Sequence, residues 1–390
     1  MKSQLLPPEY AAGLLYPICE LIRFSSLVVK PSRHRWTLFI PILLCWAIVI
    51  RFCSSSNIAL MDNYTMGCTM TIMLFTASEQ ILLCDVQNEL CAKGQQGVIS
   101  QATFQARFCW GLHLFLSPRG VGWTHEPTSR LPLHRKGITR WGFVFSRLLC
   151  TAYTVLLSDM CNIYMLYSPS YAAEGPSLTS LGWWGRLTAV PFCLVIYARL
   201  MGGYSLMSAI FVALGFWGPD EWPPLFDSYL DAYTLQKLWG QVWHQLLRRF
   251  VIVHGRFVSQ TVLRISRGTT MNALVQLYTA FFITGIIHGC GDYMVFRKWT
   301  GGSFHFFFMQ AIGITIEYVV IALAERAGYT RRTIWTKLIG YVWVINWIAY
   351  TVVFSLDPLL RAGGGENTLP FSVILGLWRG EWTPTRYRIQ

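Results

Sequence analysis

The sequence predicts an all-α integral membrane protein with about nine transmembrane helices, and three observations carry that prediction. Of the 390 residues, 53% are hydrophobic and only 13% charged, against roughly 25% charged in soluble domains. A soluble chain of this length would bury a large core but would still need a charged coat, which this composition cannot supply. Apolar runs close to the length that crosses a hydrocarbon layer of about 30 Å recur along the chain. Aromatic residues reach 15%, with 17 Trp, and Trp and Tyr favour the membrane–water interface.

The candidate spans cover residues 11–29, 36–53, 64–86, 143–165, 188–216, 272–296, 304–324, 338–356 and 369–378. The first is broken by Pro17, Glu20 and Arg23 and lacks a small-residue cleavage site, so it reads as a retained span rather than a signal peptide. The last is short. Two polar stretches stand out, 87–142 and 217–271. No internal repeat or low-complexity linker divides the chain, which reads as one multi-pass membrane domain over residues 1–390.

Charge orients the spans. If all nine cross, the connecting segments alternate between two sides that hold 23 and 6 Lys and Arg, with Arg23, Arg147 and Arg199 inside spans. Basic loops stay cytosolic, which puts the N-terminus in the lumen and the C-terminus in the cytosol. The net charge of +13 then describes a membrane face, and nucleic acid is not expected as a partner. Cys45, Cys68, Cys84, Cys150, Cys193 and Cys290 lie in apolar runs as small hydrophobes, with no CxxC pair for zinc and no disulfide framework. Asn63-Tyr64-Thr65 is a glycosylation sequon at a span edge, read here as a chance occurrence.

Three segments hold residues able to do chemistry. The first, 217–250, reads WGPDEWPPLFDSYLDAYTLQKLWGQVWHQLLRRF. A helix starting near Leu235 would put Trp239, Trp243 and Leu246 on one face, with His244 beside it and Arg248 and Arg249 following. An interfacial amphipathic helix with basic anchors accounts for the Trp and Arg residues, but less well for the Pro-rich lead-in and the Trp243-His244-Gln245 core. The second segment, FFITGIIHGCGDYMVF, places His288 deep in an apolar span, where an ionisable residue is costly and functional by default. A low-dielectric setting favours neutral imidazole, which can accept a proton as a general base. Asp292, four residues on, shares a helix face with His288 and is expected to hold the imidazole. Gly285, Gly289 and Gly291 let a neighbour approach. In the third, Gln310 and Glu317 stand about two turns apart on one face. A buried Glu needs a partner, and Glu317 reads as organising the bundle. His34, His113, His125, His134, His254 and His305 lie in polar regions or at a membrane edge and carry little weight. No motif supports a metal site.

These residues resemble a known family. Leu238–Gln245, LWGQVWHQ, is similar to the FWGRRWHQ core of the wax-synthase-like branch of the membrane-bound O-acyltransferase superfamily. GIIHGCGDY resembles that branch's second signature, a buried His in an SGxxH context. WPPLF and the later pattern of Phe307, Phe308, Met309, Gln310, Ile314 and Glu317 also fit, so the likeness covers residues 215–325 in order. Gln241-Val242 replace basic residues of the family, and Gly285-Ile286 replace the commoner Ser-Gly. The resemblance implies a helical bundle with an intramembrane tunnel and a catalytic core over 215–325. It implies His288 as catalytic base and His244 as a second catalytic residue on the donor or its oxyanion. Trp243, Gln245, Asp292, Gln310 and Glu317 would support them, and Trp239, Arg248 and Arg249 would meet coenzyme A. No cofactor is expected to be bound permanently. The donor would be an acyl-CoA, acetyl-CoA above all, and the acceptor a lipophilic alcohol among membrane lipids. Chains of this length resemble fungal acetyltransferases of terpenoid and meroterpenoid secondary metabolism, which implies the endoplasmic reticulum. Two other readings stay open from the residues. A transporter would use His288, Asp292, Gln310 and Glu317 as a pathway, but would be expected to show repeats. A membrane terpene cyclase would use Asp292 and Glu317 as paired carboxylates.

Overall fold

The computed structural model describes residues 8–54, 59–126, 137–180, 182–299, 301–329, 333–365 and 370–384. Eight stretches among these are helical, long and apolar enough to cross a membrane. Their main helices are α1 (Pro8–Val28), α2 (Phe39–Phe52), α3 (Leu60–Ser78), α4 (Arg140–Tyr167), α5 (Val190–Ala213), α6 (Thr270–Phe296), α7 (Ser303–Arg326) and α8 (Ile334–Arg361). Hydroxyl side chains start several of them. Thr139 caps Gly142 N on α4, Thr269 caps Asn272 N on α6, and Thr333 caps Thr336 N on α8, each satisfying an amide the first turn would leave bare. Apolar residues run all round α5, α6 and α7 instead of gathering on one face, as expected of helices buried in protein or lipid. Large apolar side chains remain exposed on α2 (Leu43, Leu44, Ile48) and α7 (Val319, Val320, Ile321), a surface suited to lipid.

Two expectations change. The expected span 369–378 begins outside the described residues, and 370–378 form no ninth long helix. Only Val373–Arg379 is helical there, seven residues, about 10 Å long against a hydrocarbon layer of about 30 Å. The alternation that carried the C-terminus to the basic side thus loses its last crossing. Nor does one helix run from Leu235 through Leu246. It ends after a π-helical turn, Leu238–Val242, and Trp243 is extended at φ −70° and ψ 150°. Trp239 and Trp243 therefore share no continuous helix face with Leu246.

The chain divides into two compact units. The first holds residues up to Ser129 and Leu246–Thr315. Its centre is the close contact of α3 and α6. A Cβ added to Gly67 would lie 2.6 Å from the Cys290 carbonyl oxygen, and one added to Gly291 would lie 2.8 Å from Cys68 Sγ. Only glycine lets the two backbones meet this closely. Met70, Met73, Ala77, Cys290 and Met294 form the buried core beside this contact. Arg297 adopts a left-handed conformation to end α6.

The second unit holds residues 130–245 and 316–390. Here α4 and α5 pack along their lengths, with Gly202 against Thr154. At the end of α8, Arg361 donates to the carbonyls of Ser170, Ala172 and Gly175. Asp357 accepts from Ser177 Oγ and Leu178 N, fastening the Pro169–Leu178 loop.

Candidate active site

His288 is partly buried on α6, and its ring stacks on Phe307 of α7 at 4.3 Å between centroids. Its Nδ1 lies 2.9 Å from the Tyr64 hydroxyl on α3. The Cys68 thiol, one turn along α3, approaches the same nitrogen at 3.8 Å. Asp292 does not hold the imidazole directly, contrary to expectation. Its carboxylate faces the start of α7, where Oδ2 accepts from Ser303 N and Oδ1 from Ser303 Oγ, each at 2.9 Å. Ser303 Oγ in turn lies 3.4 Å from the Tyr64 hydroxyl. The α6 face shared by His288 and Asp292 is real, but Ser303 and Tyr64 stand between the two in the chain of contacts. Asp292 and Ser303 are almost completely shielded from solvent. Gly301 makes room for them, because a Cβ there would fall 2.2 Å from Asp292 Cβ. Gln310 is fully buried, and its amide donates to Phe306 O one turn back on α7.

In the second unit, the Trp243-His244-Gln245 segment lies outside any helix, with Trp243 extended. Gln245 is buried and donates to Trp239 O and Trp243 O. Gln241 donates to Asp227, and Asp227 N donates to Val242 O. These bonds tie the segment to its Pro-rich lead-in. Phe226 contacts both Trp243 and His244 edge-on, at 5.2 and 6.2 Å, and Trp239 packs on Trp243. Glu317 accepts from Leu235 N, Gln236 N and Trp343 Nε1. It therefore caps the helix that leads into this segment.

A cavity of about 170 Å³ lies in the first unit, lined by Glu20, Arg23, Glu79, Gln80, Phe115 and Arg249 among others. Its charges come in pairs. Arg23 meets Glu20 and lies over the Phe115 ring. Arg249 meets Glu79 at 2.5 Å and also the His125 imidazole. Arg249 is thus engaged within the protein, while Arg248 beside it starts the short helix Arg248–Arg256. His125, given little weight from sequence, sits on Arg249. Burial first, and the guanidinium second, hold it down at about 4 against an ordinary 6.5. His254, also passed over, bonds Ser78 and the Phe250 carbonyl. Tyr64, Ser303, Gly301 and Glu79 were missed as well. Tyr64 lies 224 positions from His288, and no local pattern links residues that far apart.

Residues 222–309 match the family described as membrane bound O-acyl transferase. The acetyltransferase eriL of Hericium erinaceus is 32% identical, over 95% of this chain and 97% of that protein. The acetyltransferase ple2 of Rhodocybe pseudopiperita is 32% identical over 93% of this chain and 94% of its own length. The O-mevalon transferase macI of Penicillium terrestre is 27% identical over 69% and 66%. No solved structure matches the chain. The match to the family contains both His244 and His288, and the likeness to eriL and ple2 runs nearly end to end, which sets aside the transporter and cyclase readings. The chain therefore belongs to the membrane-bound O-acyltransferase family and is a multi-pass membrane enzyme of acyl transfer.

Proposed function

We propose that this enzyme moves an acetyl group from coenzyme A to a hydroxyl of a lipophilic, terpenoid-type alcohol, with His288 as the general base. The observation that carries the reading is His288 itself. It is an ionisable side chain inside an apolar helix, stacked on Phe307 and hydrogen-bonded at Nδ1. In this reading His288 takes the proton of the acceptor hydroxyl. The oxygen attacks the thioester carbonyl carbon, a C–O bond forms and the C–S bond breaks. The proton then passes to the departing thiolate. Water is a competing nucleophile, and an apolar setting suppresses it.

His244 serves the donor, as the family resemblance implies, with Trp239, Arg248 and Arg249 beside it in role. Arg249 is already engaged by Glu79 and His125. Trp243, Gln245 and Glu317 shape the His244 segment, and Gln310 and Asp292 support the α6–α7 pair. The acetyltransferase names of eriL and ple2 support the acetyl donor. The apolar composition supports a membrane-dissolved acceptor, and the family resemblance implies the endoplasmic reticulum.

Microsomes from cells expressing the chain, given labelled acetyl-CoA and a panel of hydroxylated terpenoids, should form a new ester. His288→Ala at equal expression should lose it, since a positioned base contributes about 10²–10⁴-fold. Ester formation that survives the substitution would remove His288 as the base. Esters formed only from long-chain acyl-CoA would overturn the acetyl assignment.

A further inference from the structure

We infer that Asp292, Ser303 and Tyr64 form a one-way hydrogen-bond chain that fixes the tautomer of His288. The inference rests on the reading of His288 as base, and the direction follows from which groups can donate. An ionised carboxylate only accepts. Asp292 Oδ2 is taken by the Ser303 backbone N–H, which can only donate. Oδ1 must then receive the Ser303 hydroxyl proton across 2.9 Å. With its proton so directed, Ser303 Oγ offers lone pairs to the Tyr64 hydroxyl at 3.4 Å. With its own proton on Ser303, the Tyr64 oxygen accepts from His288 Nδ1 at 2.9 Å. The imidazole proton is thereby held on Nδ1, and Nε2 carries the lone pair a base needs. The Cys68 thiol, at 3.8 Å from Nδ1, is a weak donor and a weak acceptor beside the Tyr64 hydroxyl.

These three are positioning residues, acting on the reaction only through His288. The whole chain sits in the first unit, on α3, α6 and the start of α7. It is a carboxylate orienting a histidine from two links away, where direct contact is the simpler arrangement.

The sharpest test is Asp292→Asn, which keeps the size of the side chain and reverses its polarity at one atom. The Ser303 N–H still demands an acceptor, so the amide oxygen takes the Oδ2 place and the NH₂ takes the Oδ1 place. That NH₂ donates to Ser303 Oγ. Ser303 then donates to Tyr64, Tyr64 donates to Nδ1, and the imidazole proton moves to Nε2.

Three activities should follow in the ester assay. Asp292→Asn should approach the loss of His288→Ala, about 10²-fold or more. Tyr64→Phe cuts the chain without reversing it and should cost about 10-fold, the scale of one hydrogen bond. The double variant should recover to the level of Tyr64→Phe alone, because a severed chain cannot transmit the reversal. Damage to packing would instead leave the double variant worse than either single one.

Nitrogen-15 NMR of the full chain in lipid, with labelled histidine and His288→Gln to assign the signals, reads the tautomer without any substrate. A protonated Nδ1 in the parent that passes to Nε2 in Asp292→Asn bears the chain out, and an unchanged tautomer overturns it. If His288→Ala keeps its activity, the reading of His288 as base fails. If that variant is dead while Asp292→Asn is fully active with an unchanged tautomer, only the chain fails.

Discussion

Glu79 is fully buried yet sits among charges, because Arg249 covers it and His125 lies against the far side of the guanidinium. The consequence is a pH dependence that belongs to His125. Its neutral form is the one the fold accepts, with the ionisation held at about 4 against an ordinary 6.5. A base depressed in the folded state contributes fully above 6.5, and that stability is lost as pH falls from 6.5 towards 4. Burial moves His254 in the same direction. Thermal unfolding in detergent should therefore fall across that window, and more steeply in the parent than in His125→Gln. Parallel curves for the two would remove His125 from the effect. At this scale the sequence was only partly legible. His288 stood out because a charge-bearing ring in an apolar run is expensive. Tyr64 did not, since a tyrosine in such a run looks like any interfacial aromatic and was noticed only as part of a sequon. That sequon has its own answer in the fold, because Asn63 is buried in the first turn of α3.

The element that matters most is the pair α3 and α6. Gly67 and Gly291 interlock with Cys290 and Cys68, and the same contact sets the 2.9 Å separation of Tyr64 and His288. Gly67→Ala would force a Cβ to within 2.6 Å of a carbonyl oxygen, which cannot move aside as a flexible side chain would. The helices must part, at about 1–3 kcal/mol for an overpacked site. Ester formation should fall, with a larger effect on kcat than on KM, while Gly13→Ala, where added bulk meets nothing, should be silent. Gly291 was marked from sequence as a place of close approach, but its partner could not be named. The helix expected from Leu235 onward failed for a related reason. Spacing suggests a helix, but Asp227 in the Pro-rich lead-in accepts from Gln241 and donates to Val242 O, ties that spacing does not carry and that favour a break after Val242.

For the whole molecule, composition was sufficient to read a helical membrane protein, since 13% charged residues cannot coat a soluble surface. It was not sufficient to count the crossings at the C-terminal end. With eight long helices among the described residues and only seven helical residues in Val373–Arg379, tags at the two ends of this chain should share a compartment. Protease added to sealed microsomes should treat both tags alike, and cleavage of one with protection of the other would restore a ninth crossing.

The discontinuity of the first unit also bears on how the protein is made. Residues up to Ser129 are synthesised first, and their partners at Leu246–Thr315 follow only after residues 130–245 have emerged. At about 5–20 residues per second, α3 waits in the membrane on the order of ten seconds before α6 arrives. During that interval Gly67 and Tyr64 present a notch with nothing yet to fill it. The newborn chain thus passes through a stage in which the α3 side of the contact with α6 is inserted but unassembled. That interval is when a membrane chaperone or a quality-control ligase would meet this protein, and when a substitution in the notch would first be felt.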